Sequence, residues 1–255
     1  MKVATWNVNS LRARLDHVRR WTEELGGADV VLLQETKLTD DLFPAEALRD
    51  MGYTHLAWYG EPTYNGVAIL SRHPIEDVQL GFDDEDDPQK RLISGTVQGV
   101  RVYGCYVPNG TEVGSPRFHY KLRWLDRLRA LLDRKHDPTE DVLVCGDMNI
   151  APDDPDVWDP FRCEGRLLFH PDERAKLTHL LDWGLADAWR EQHPFANDFS
   201  WWDYRRMGFQ RNQGLRIDHV FLSESLMKRV SDVRIDRDVR GWDTPSDHVP
   251  VVATI

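Results

Sequence analysis

The chain alternates between short apolar runs rich in β-branched residues and longer segments in which apolar residues recur every three or four positions. The short runs are typical of β-strands. They predict strands at KVATWNV, DVVLLQE, GVAILS, LISGTVQ, VRVYGCYVP, DVLVCGDMN, RIDHVFLS, DVRI and HVPVVATI. The runs at 92–98 and 100–107 are close enough in sequence to form a hairpin.

Three of the longer segments are predicted to be helices. Residues 116–134 begin at Pro116 behind Ser115, which is a helix-start signal. Residues 11–25 carry a similar apolar face, and residues 172–183 end before Gly184, a suitable C-cap. Interleaved helices, hairpins and strands favour packed sheets with helices outside over a purely parallel sheet. We expect one domain over residues 1–255.

Composition narrows the classes of protein that remain. The 255 residues are 41% hydrophobic and carry a net charge of −11, which argues against a protein that coats nucleic acid nonspecifically. Three cysteines without CxxC spacing predict reduced thiols, a cytoplasmic location and no zinc site. No run of 18 apolar residues occurs, so no membrane segment is expected. The acidic run at 83–87 is predicted to be a solvated loop between strands.

Acids and amides follow several of the apolar runs. They include Asn7, Glu35, Asn109, Asp147, Asn149, Asp218 and Asp247, together with Tyr106 and His248. A carboxylate beside a buried strand is disfavoured unless something compensates its charge. If these strand ends converge, a hard divalent cation would relieve the repulsion, and oxygen ligands suit Mg²⁺ or Mn²⁺ rather than Zn²⁺.

The motifs WNVNSLRAR, LLQETK, GVAILS, YVPNG, GDMNIAP, SWWDYR, GLRIDH and PSDHVPV occur in the order and spacing of a known family. The chain resembles the exodeoxyribonuclease III family of abasic-site endonucleases, within the endonuclease/exonuclease/phosphatase superfamily. The resemblance covers essentially the whole chain. It implies an α/β fold, a four-layered α/β sandwich with two mixed β-sheets face to face and helices on the outside.

The resemblance also implies a metal site. Glu35 would be the principal ligand of Mg²⁺, for which Mn²⁺ could substitute. The remaining candidate metal ligands are Asn7, Asp147, Asn149, Asp247 and His248. Asn9 stands where part of the family carries an acid, so Glu35 would carry more of the binding. Whether one metal ion or two would bind stays open.

Roles in the reaction follow from the same resemblance. Asp147 would orient or deprotonate the attacking water, and Asn149 would hold that water or a phosphate oxygen. His248, oriented by Asp218, would contact the scissile phosphate and stabilise the transition state. The phosphate would also be contacted by Tyr106 and Asn109. The sequence leaves open whether Asp147 or His248 is the general base.

Residues 201–216 interleave arginines with aromatic residues, a pattern that suits a nucleic-acid backbone and an unstacked sugar. The alternative is a tryptophan-rich corner of the core covered by arginines. The resemblance implies that Trp201, Leu215 and Ile217 line a pocket for a flipped, base-free deoxyribose. Candidate phosphate contacts are Arg12, Arg14, Arg19, Arg20 and Arg205. His219 is expected to pack rather than to act in catalysis.

The expected function is therefore a Mg²⁺-dependent DNA-repair nuclease, acting as a monomer in base excision repair. It would cut duplex DNA 5′ to abasic sites and remove nucleotides or blocking groups from 3′ ends. One rival is a phosphoesterase of the same fold acting on inositol phosphates, sphingolipid or RNA tails. A second rival is a non-catalytic DNA-binding module, which would have no reason to keep all of the acids, amides and the histidine.

Overall fold

The computed structural model describes residues 1–84 and 87–255; Glu85 and Asp86 of the predicted acidic loop lie outside the described residues. The strands of the described chain are β1 (Lys2–Asn7), β2 (Val30–Gln34), β3 (His55–Tyr59), β4 (Val67–Ser71), β5 (Glu76–Leu80), β6 (Leu92–Val97), β7 (Val100–Tyr106), β8 (Val142–Asp147), β9 (Leu185–Asp187), β10 (Trp201–Trp202), β11 (Gly214–Leu215), β12 (Asp218–Ser223), β13 (Asp232–Ile235) and β14 (Val251–Thr254).

The α-helices are α1 (Leu11–Glu24), α2 (Ala45–Asp50), α3 (Pro116–Lys135), α4 (Pro160–Cys163), α5 (Pro171–Leu181), α6 (Ala188–Gln192) and α7 (Glu224–Met227). Short 3-10 helices occur at Asp40–Leu42, Asp154–Asp156, Arg205–Met207 and Arg237–Gly241. No helix among the described residues has the length and apolar character needed to cross a membrane.

The strands form two large sheets and one small ribbon within the described residues. One six-stranded sheet has the order β13-β14-β1-β2-β4-β3, and the other has the order β5-β6-β7-β8-β12-β9. Both sheets are mixed, because β1 pairs parallel with β2 and β7 pairs parallel with β8, whereas the other pairings are antiparallel. The ribbon pairs β10 with β11.

Three apolar layers hold the sheets and helices together. Between the sheets, Val3 and Leu32 of the first pack with Val102 and Val220 of the second. Outside the first sheet, α1 packs its apolar face on β1 and β2 in one core cluster. Outside the second, α3 and α5 cover β7, β8 and β12 in another. The predicted four-layered α/β sandwich is confirmed.

The strand predictions are confirmed, as are the helices at 11–25, 116–134 and 172–183. The ends agree within one or two residues, except that the strand predicted from His248 begins at Val251. In the two large sheets the sequence pattern missed β3, β5 and β9, and all three lie at sheet edges. An edge strand buries less of its surface, so its apolar periodicity is weaker. In β5, for example, four of the five residues are exposed.

The described residues of the acidic segment are Asp83, Asp84 and Asp87. They lie between β5 and β6 outside any helix or strand, and side chains of α3 contact them. Asp83 forms ion pairs with Arg134 and Lys135 at 2.7 and 2.8 Å. Asp87 forms an ion pair with Arg127 at 3.1 Å and accepts a hydrogen bond from Tyr120 Oη. Basic side chains of α3 therefore neutralise part of the charge of the acidic segment.

Candidate active site

The polar residues that follow the apolar runs lie along one edge of the sandwich. Asn7, Tyr106 and Asp147 are the last residues of β1, β7 and β8, and Glu35 directly follows β2. Asp218 opens β12 opposite Asp147, because β12 runs antiparallel to β8. The strand ends predicted to converge therefore do so.

The backbone at Asp147 depends on Gly146. A Cβ atom at that position would lie 1.9 Å from the carbonyl oxygen of Cys105, on the neighbouring strand β7. Because such a contact is far inside van der Waals distance, only glycine lets β7 and β8 remain paired up to the carboxylate. This explains the glycine before the acid in GDMN.

Asn7 joins the two acids at the centre of this edge. Its Nδ2 donates to Glu35 Oε1 and to Asp147 Oδ2, each over 2.9 Å. Its Oδ1 accepts from the backbone N–H of Asn9 at 3.0 Å. The amide therefore presents its nitrogen to both carboxylates and holds them on either side of one donor.

Glu35 is a hub of hydrogen bonds and charge. Tyr106 Oη donates to Glu35 Oε1 at 2.7 Å, and Lys37 Nζ lies 2.7 Å from Glu35 Oε2. Burial alone would raise the pKa of Glu35, but Lys37 and the bonds from Asn7 and Tyr106 lower it. Burial, followed by the charge of Glu35, raises the pKa of Tyr106, which therefore stays a hydrogen-bond donor.

His248 is held between two acids. Its Nδ1 lies 2.8 Å from Asp218 Oδ2, and its Nε2 lies 3.7 Å from Asp147 Oδ2. Ser200 Oγ donates to the same Asp218 oxygen at 2.7 Å, which fixes the carboxylate. Asp147, Asp218 and His248 also offer ligand atoms within 4.8 Å of one another.

The pKa values of Asp147 and His248 are both raised, for different reasons. Burial raises the pKa of Asp147, and His248 offsets part of that rise. Burial alone would lower the pKa of His248, but the carboxylates of Asp218 and Asp147 outweigh it and raise the value well above that of free histidine. The imidazole is therefore held as a cation whose charge faces the centre of the site.

Two amides lie on the other side of Asp147. Asn109 Nδ2 donates to Asn149 Oδ1 at 3.0 Å, and Asn149 Nδ2 donates to the carbonyl of Val107 at 3.0 Å. The backbone N–H of Asn149 donates to Asp147 Oδ1 at 2.9 Å. Asn109 and Asn149 are therefore one hydrogen-bonded unit attached to the carboxylate.

Asp247 connects this centre to the aromatic segment. Its Oδ1 accepts from Asn9 Nδ2 and its Oδ2 accepts from Trp201 Nε1, both at 2.9 Å. Trp201 also bridges by backbone to His248, and their rings lie 6.4 Å apart. Neighbouring side chains therefore donate hydrogen bonds to both oxygens of Asp247.

Trp201 belongs to an apolar cluster beside His248. The partly buried indole packs on a buried core made of Ala151, Val157, Leu168, Phe169, Leu215 and Ile217. The three residues predicted to line a pocket are thus brought together. The neighbouring Trp202 is fully buried with Phe199 in the core of the first sheet. The aromatic segment is a core corner on one side and borders the active site on the other.

Four of the five candidate phosphate-contacting arginines lie on α1, and Arg205 lies in the aromatic segment. Arg12 and Arg205 are exposed, and Arg12 lines a groove of about 320 Å³ with Lys37. Arg19 and Arg20 pair along α1 with Glu23 and Glu24. The prediction for Arg14 meets a competing role, since its guanidinium donates to the carbonyls of Asn9 and Pro245 at 2.6 and 3.2 Å and so ties two loops of the site together.

His219 lies in a separate buried network. Its Nε2 lies 2.9 Å from the carbonyl oxygen of Ile150, and its Nδ1 lies 2.9 Å from Arg216 Nη1. Arg216 also forms ion pairs with Asp156 and Asp187 at 2.7 and 2.8 Å. This network holds Arg216, and with it the neighbouring Leu215 and Ile217, in place. His219 is part of this support and lies outside the cluster of site residues, in agreement with a structural rather than a catalytic role.

Several site residues have a strained backbone. Asn9, Glu35, Lys37 and Asn149 have φ values between 44° and 54°. Residues other than glycine rarely adopt this left-handed region, and each instance costs of order 1–3 kcal/mol. Main-chain hydrogen bonds at Glu35, Lys37 and Asn149 hold the backbone in this region.

The donor set fits a hard divalent cation. Four carboxylates, those of Glu35, Asp147, Asp218 and Asp247, face two cations, Lys37 and His248. The ligand atoms are mostly oxygen, the preference of Mg²⁺ and Mn²⁺. The Glu35 side chain is 17% exposed whereas those of Asp147 and Asp218 are at most 2% exposed, so Glu35 offers more accessible oxygens than these two acids.

The model of the endonuclease/exonuclease/phosphatase family matches residues 4–248 of this chain. The chain belongs to this family. Exodeoxyribonuclease III of Haemophilus influenzae is 38% identical over 99% of this chain and 99% of its own length. Within the endonuclease/exonuclease/phosphatase family, the predicted membership of the exodeoxyribonuclease III group is confirmed.

Solved structures of family members agree in fold over the whole chain. The 3′ phosphatase NExo from Neisseria, bound to a product DNA hairpin, has a TM-score of 0.95 and 42% identity, covering 100% of this chain and 99% of that one. An AP endonuclease from Archaeoglobus fulgidus has a TM-score of 0.96 and 36% identity, with the same coverage.

The sequence pattern missed three residues that support the site. Lys37 lies two residues after Glu35 within a recognised motif, and Ser200 directly precedes Trp201. Lys121 lies three residues after Phe118 and four before Leu125, so a lysine on the apolar face of α3 was the available signal. A charged side chain at a core position requires a buried partner.

Proposed function

We propose that this chain is a Mg²⁺-dependent DNA-repair nuclease that hydrolyses the phosphodiester 5′ to abasic sites in duplex DNA and trims 3′ ends. One observation carries the proposal. A continuous chain of polar contacts runs from Asp218 through His248, Asp147 and Asn7 to Glu35, and it borders the apolar cluster that includes Trp201. Phosphodiester hydrolysis and recognition of a base-free sugar need these two surfaces side by side.

Asp147 is the group that orients and deprotonates the attacking water. Burial raises the pKa of its carboxyl group, so the carboxylate is a stronger proton acceptor than a solvated one. His248 is the less suitable base because its neighbours keep it protonated. As a cation it donates to a phosphate oxygen and offsets charge that develops in the transition state, with Asp218 fixing the ring.

The amide unit of Asn109 and Asn149, with Tyr106, contacts the phosphate and the water. Asn149 is anchored through its backbone N–H to Asp147, so a group held by the amide lies close to the base. Tyr106 stays protonated and donates. These donors orient the phosphate for in-line attack, which lowers the entropic barrier of the reaction.

Glu35 is the principal residue that would hold Mg²⁺, and Asn7, Asp147, Asn149, Asp247 and His248 complete the candidate set. When bound, the metal supplies Lewis-acid stabilisation of charge on the phosphate and the leaving oxygen. The other carboxylates make the site negative enough to favour a divalent cation over a monovalent one. The net charge of −11 does not oppose this function, because the phosphate contacts are local.

The apolar cluster of Trp201, Leu215 and Ile217 is the proposed recognition wall for an extruded abasic sugar. A sugar without a base has already lost its stacking, so its extrusion costs less than that of an intact nucleotide. The exposed Arg205 lies beside this wall in sequence and would contact the backbone.

A second candidate is an enzyme that acts mainly on 3′ ends. The 42% identity to the 3′ phosphatase NExo, which was solved with a DNA hairpin product, favours it. Both candidates use the same phosphate chemistry and differ in how much the apolar cluster contributes.

One substrate panel tests both candidates. The enzyme is incubated with a duplex carrying one tetrahydrofuran abasic analogue, an intact duplex and a duplex ending in a 3′ phosphate, each with and without Mg²⁺. Cleavage 5′ to the analogue that requires Mg²⁺ supports the first candidate. Removal of the 3′ phosphate without cleavage at the analogue supports the second. A folded protein that acts on none of them, with Mg²⁺ or Mn²⁺, would exclude both.

We further propose that the enzyme is a monomer formed by one domain over residues 1–255 and that it works in base excision repair in the cytoplasm. Cys105, Cys145 and Cys163 are free thiols, which suits a reducing compartment. The polar site edge and the apolar cluster come from one chain, so catalysis needs no second copy. Sedimentation of the active enzyme as a single 29.7 kDa species would test the monomer.

A further inference from the structure

A fully buried ion pair lies directly behind the amide unit. Lys121 of α3 and Glu173 of α5 form this pair, and both side chains are 0% exposed. Lys121 Nζ also donates to the carbonyl of Asn149 at 2.6 Å and to the carbonyl of Asn109 at 3.3 Å. The three donors of the ammonium group are therefore matched by three acceptors, one on each of three segments.

Glu173 is itself held by the first turn of its helix. Its Oε2 accepts from the backbone N–H of His170 at 3.1 Å, as part of a capping box. The carboxylate cannot rotate without breaking either this bond or the ion pair. Glu173 of α5 therefore fixes the position of Lys121. The hydrogen bonds of Lys121 to the carbonyls of Asn109 and Asn149 in turn fix the loops that follow β7 and β8.

Stability is a weak explanation for such a pair. Burying two charges costs desolvation that their attraction only partly repays, and apolar pairs of similar volume are often at least as stabilising. The carbonyl contacts suggest a different use. They reach the main chain of the two residues whose amides bond each other, and Asn149 has a φ of 52° that its surroundings must enforce.

We propose that Lys121, fixed by Glu173, is a positioning residue that holds the amides of Asn109 and Asn149 in register with Asp147. The role rests on the proposed nuclease function. Lys121 cannot itself touch the substrate, because it is fully buried and all its donors are engaged. Its effect on the reaction therefore runs through the position of the two amides.

The test replaces both charges, so that neither is left buried alone. The variant Lys121→Met with Glu173→Gln keeps the approximate volumes and leaves an amide oxygen for the His170 N–H. Single-turnover cleavage of the tetrahydrofuran duplex and equilibrium binding to it are measured with Mg²⁺. We expect the cleavage rate to fall about 10²-fold, the cost of a misplacement near 1 Å, while binding changes about threefold or less.

A matched control and a double-mutant cycle separate positioning from general damage. Lys176 and Asp126 also join α5 to α3, at 2.7 Å, but they are partly exposed and bond to each other rather than to either loop. Lys176→Met with Asp126→Asn should leave the cleavage rate unchanged. Asn149→Ala should slow cleavage much less in the Lys121 and Glu173 variant than in the wild type, since the ion pair and Asn149 act through the same amide.

The outcomes overturn different claims. A wild-type chain that cuts neither the abasic nor the 3′-phosphate duplex overturns the proposed function and this role together. A wild-type chain that cuts, beside a folded pair variant of equal rate or with additive losses in the cycle, overturns the role alone. If the pair variant does not fold, Glu173→Gln decides: a slower cleavage step with unchanged binding supports the role, and an unchanged rate overturns it.

Discussion

Asp147→Asn separates the chemical role of this carboxylate from its structural one. Asp147 accepts through both oxygens, from Asn149 N–H on Oδ1 and from Asn7 Nδ2 on Oδ2. The amide has the same shape but turns one acceptor into a donor, so one of these two bonds is lost. The structural cost should be about 1–3 kcal/mol, the penalty for one unmatched buried polar group. Removing a buried charge offsets part of it.

The expected catalytic loss is larger than this structural cost. Losing a general base lowers the rate roughly 10²–10⁴-fold. At 1.36 kcal/mol for each tenfold change, that corresponds to about 3–5 kcal/mol of transition-state stabilisation. Binding of DNA should be retained, because the variant removes a negative charge that repels the phosphate.

Single-turnover cleavage and equilibrium binding on the same abasic duplex measure the two effects, at saturating Mg²⁺ and with the fold checked by circular dichroism. Retained binding with lost turnover is the expected result. Turnover within about tenfold of wild type, below the range for general-base loss, would refute the assignment of Asp147 as the base and transfer that role to His248.

The remaining predictions concern the metal, the substrate and acid stability. Glu35→Ala should raise the Mg²⁺ concentration needed for half-maximal activity, with partial recovery at high Mg²⁺ or with Mn²⁺; an unchanged midpoint contradicts the ligand role. Trp201→Ala should reduce abasic cleavage more than 3′-end trimming, because the recognition wall is lost; equal losses would leave Trp201 as packing. Burial would raise the pKa of Asp187, but Arg216 holds it well below its usual range. Asp187→Asn should therefore lower the free energy of unfolding measured in urea at neutral pH, and its difference from wild type should shrink as the pH falls below about 4. A difference that stays constant with pH argues against this linkage.

The central strands and long helices could be predicted because they bury continuous or periodic apolar faces. β8 is buried along its whole length, so its apolar run was unambiguous. Three of the four edge strands, β3, β5 and β9, could not be predicted in this way, because they are short or lack an alternation of buried and exposed positions. The two-residue strands β10 and β11 exist through pairing with each other, which local sequence does not encode.

The site was predictable where an acid or amide directly follows a buried strand, as at Asp147 and Glu35. Their partners were harder to identify. The amide of Asn7 bridges two acids only because β1 lies within one sheet and β8 within the other, a relation between residues 140 positions apart. Lys121 was hidden because a lysine in a helix is ordinarily assigned to the solvent face, and its acceptors lie on other segments.

The left-handed backbone at Asn9, Glu35, Lys37 and Asn149 limits how far this protein can be made more robust. Glycine would relax the main chain at any of these positions, so a search for thermostable variants could select glycine at Glu35 or Asn149. Those are the positions where the side chain is indispensable to the proposed reaction. Heat resistance and turnover should therefore trade against each other at Glu35 and Asn149, and stabilising changes are better sought far from this edge, for example along the exposed strand β5.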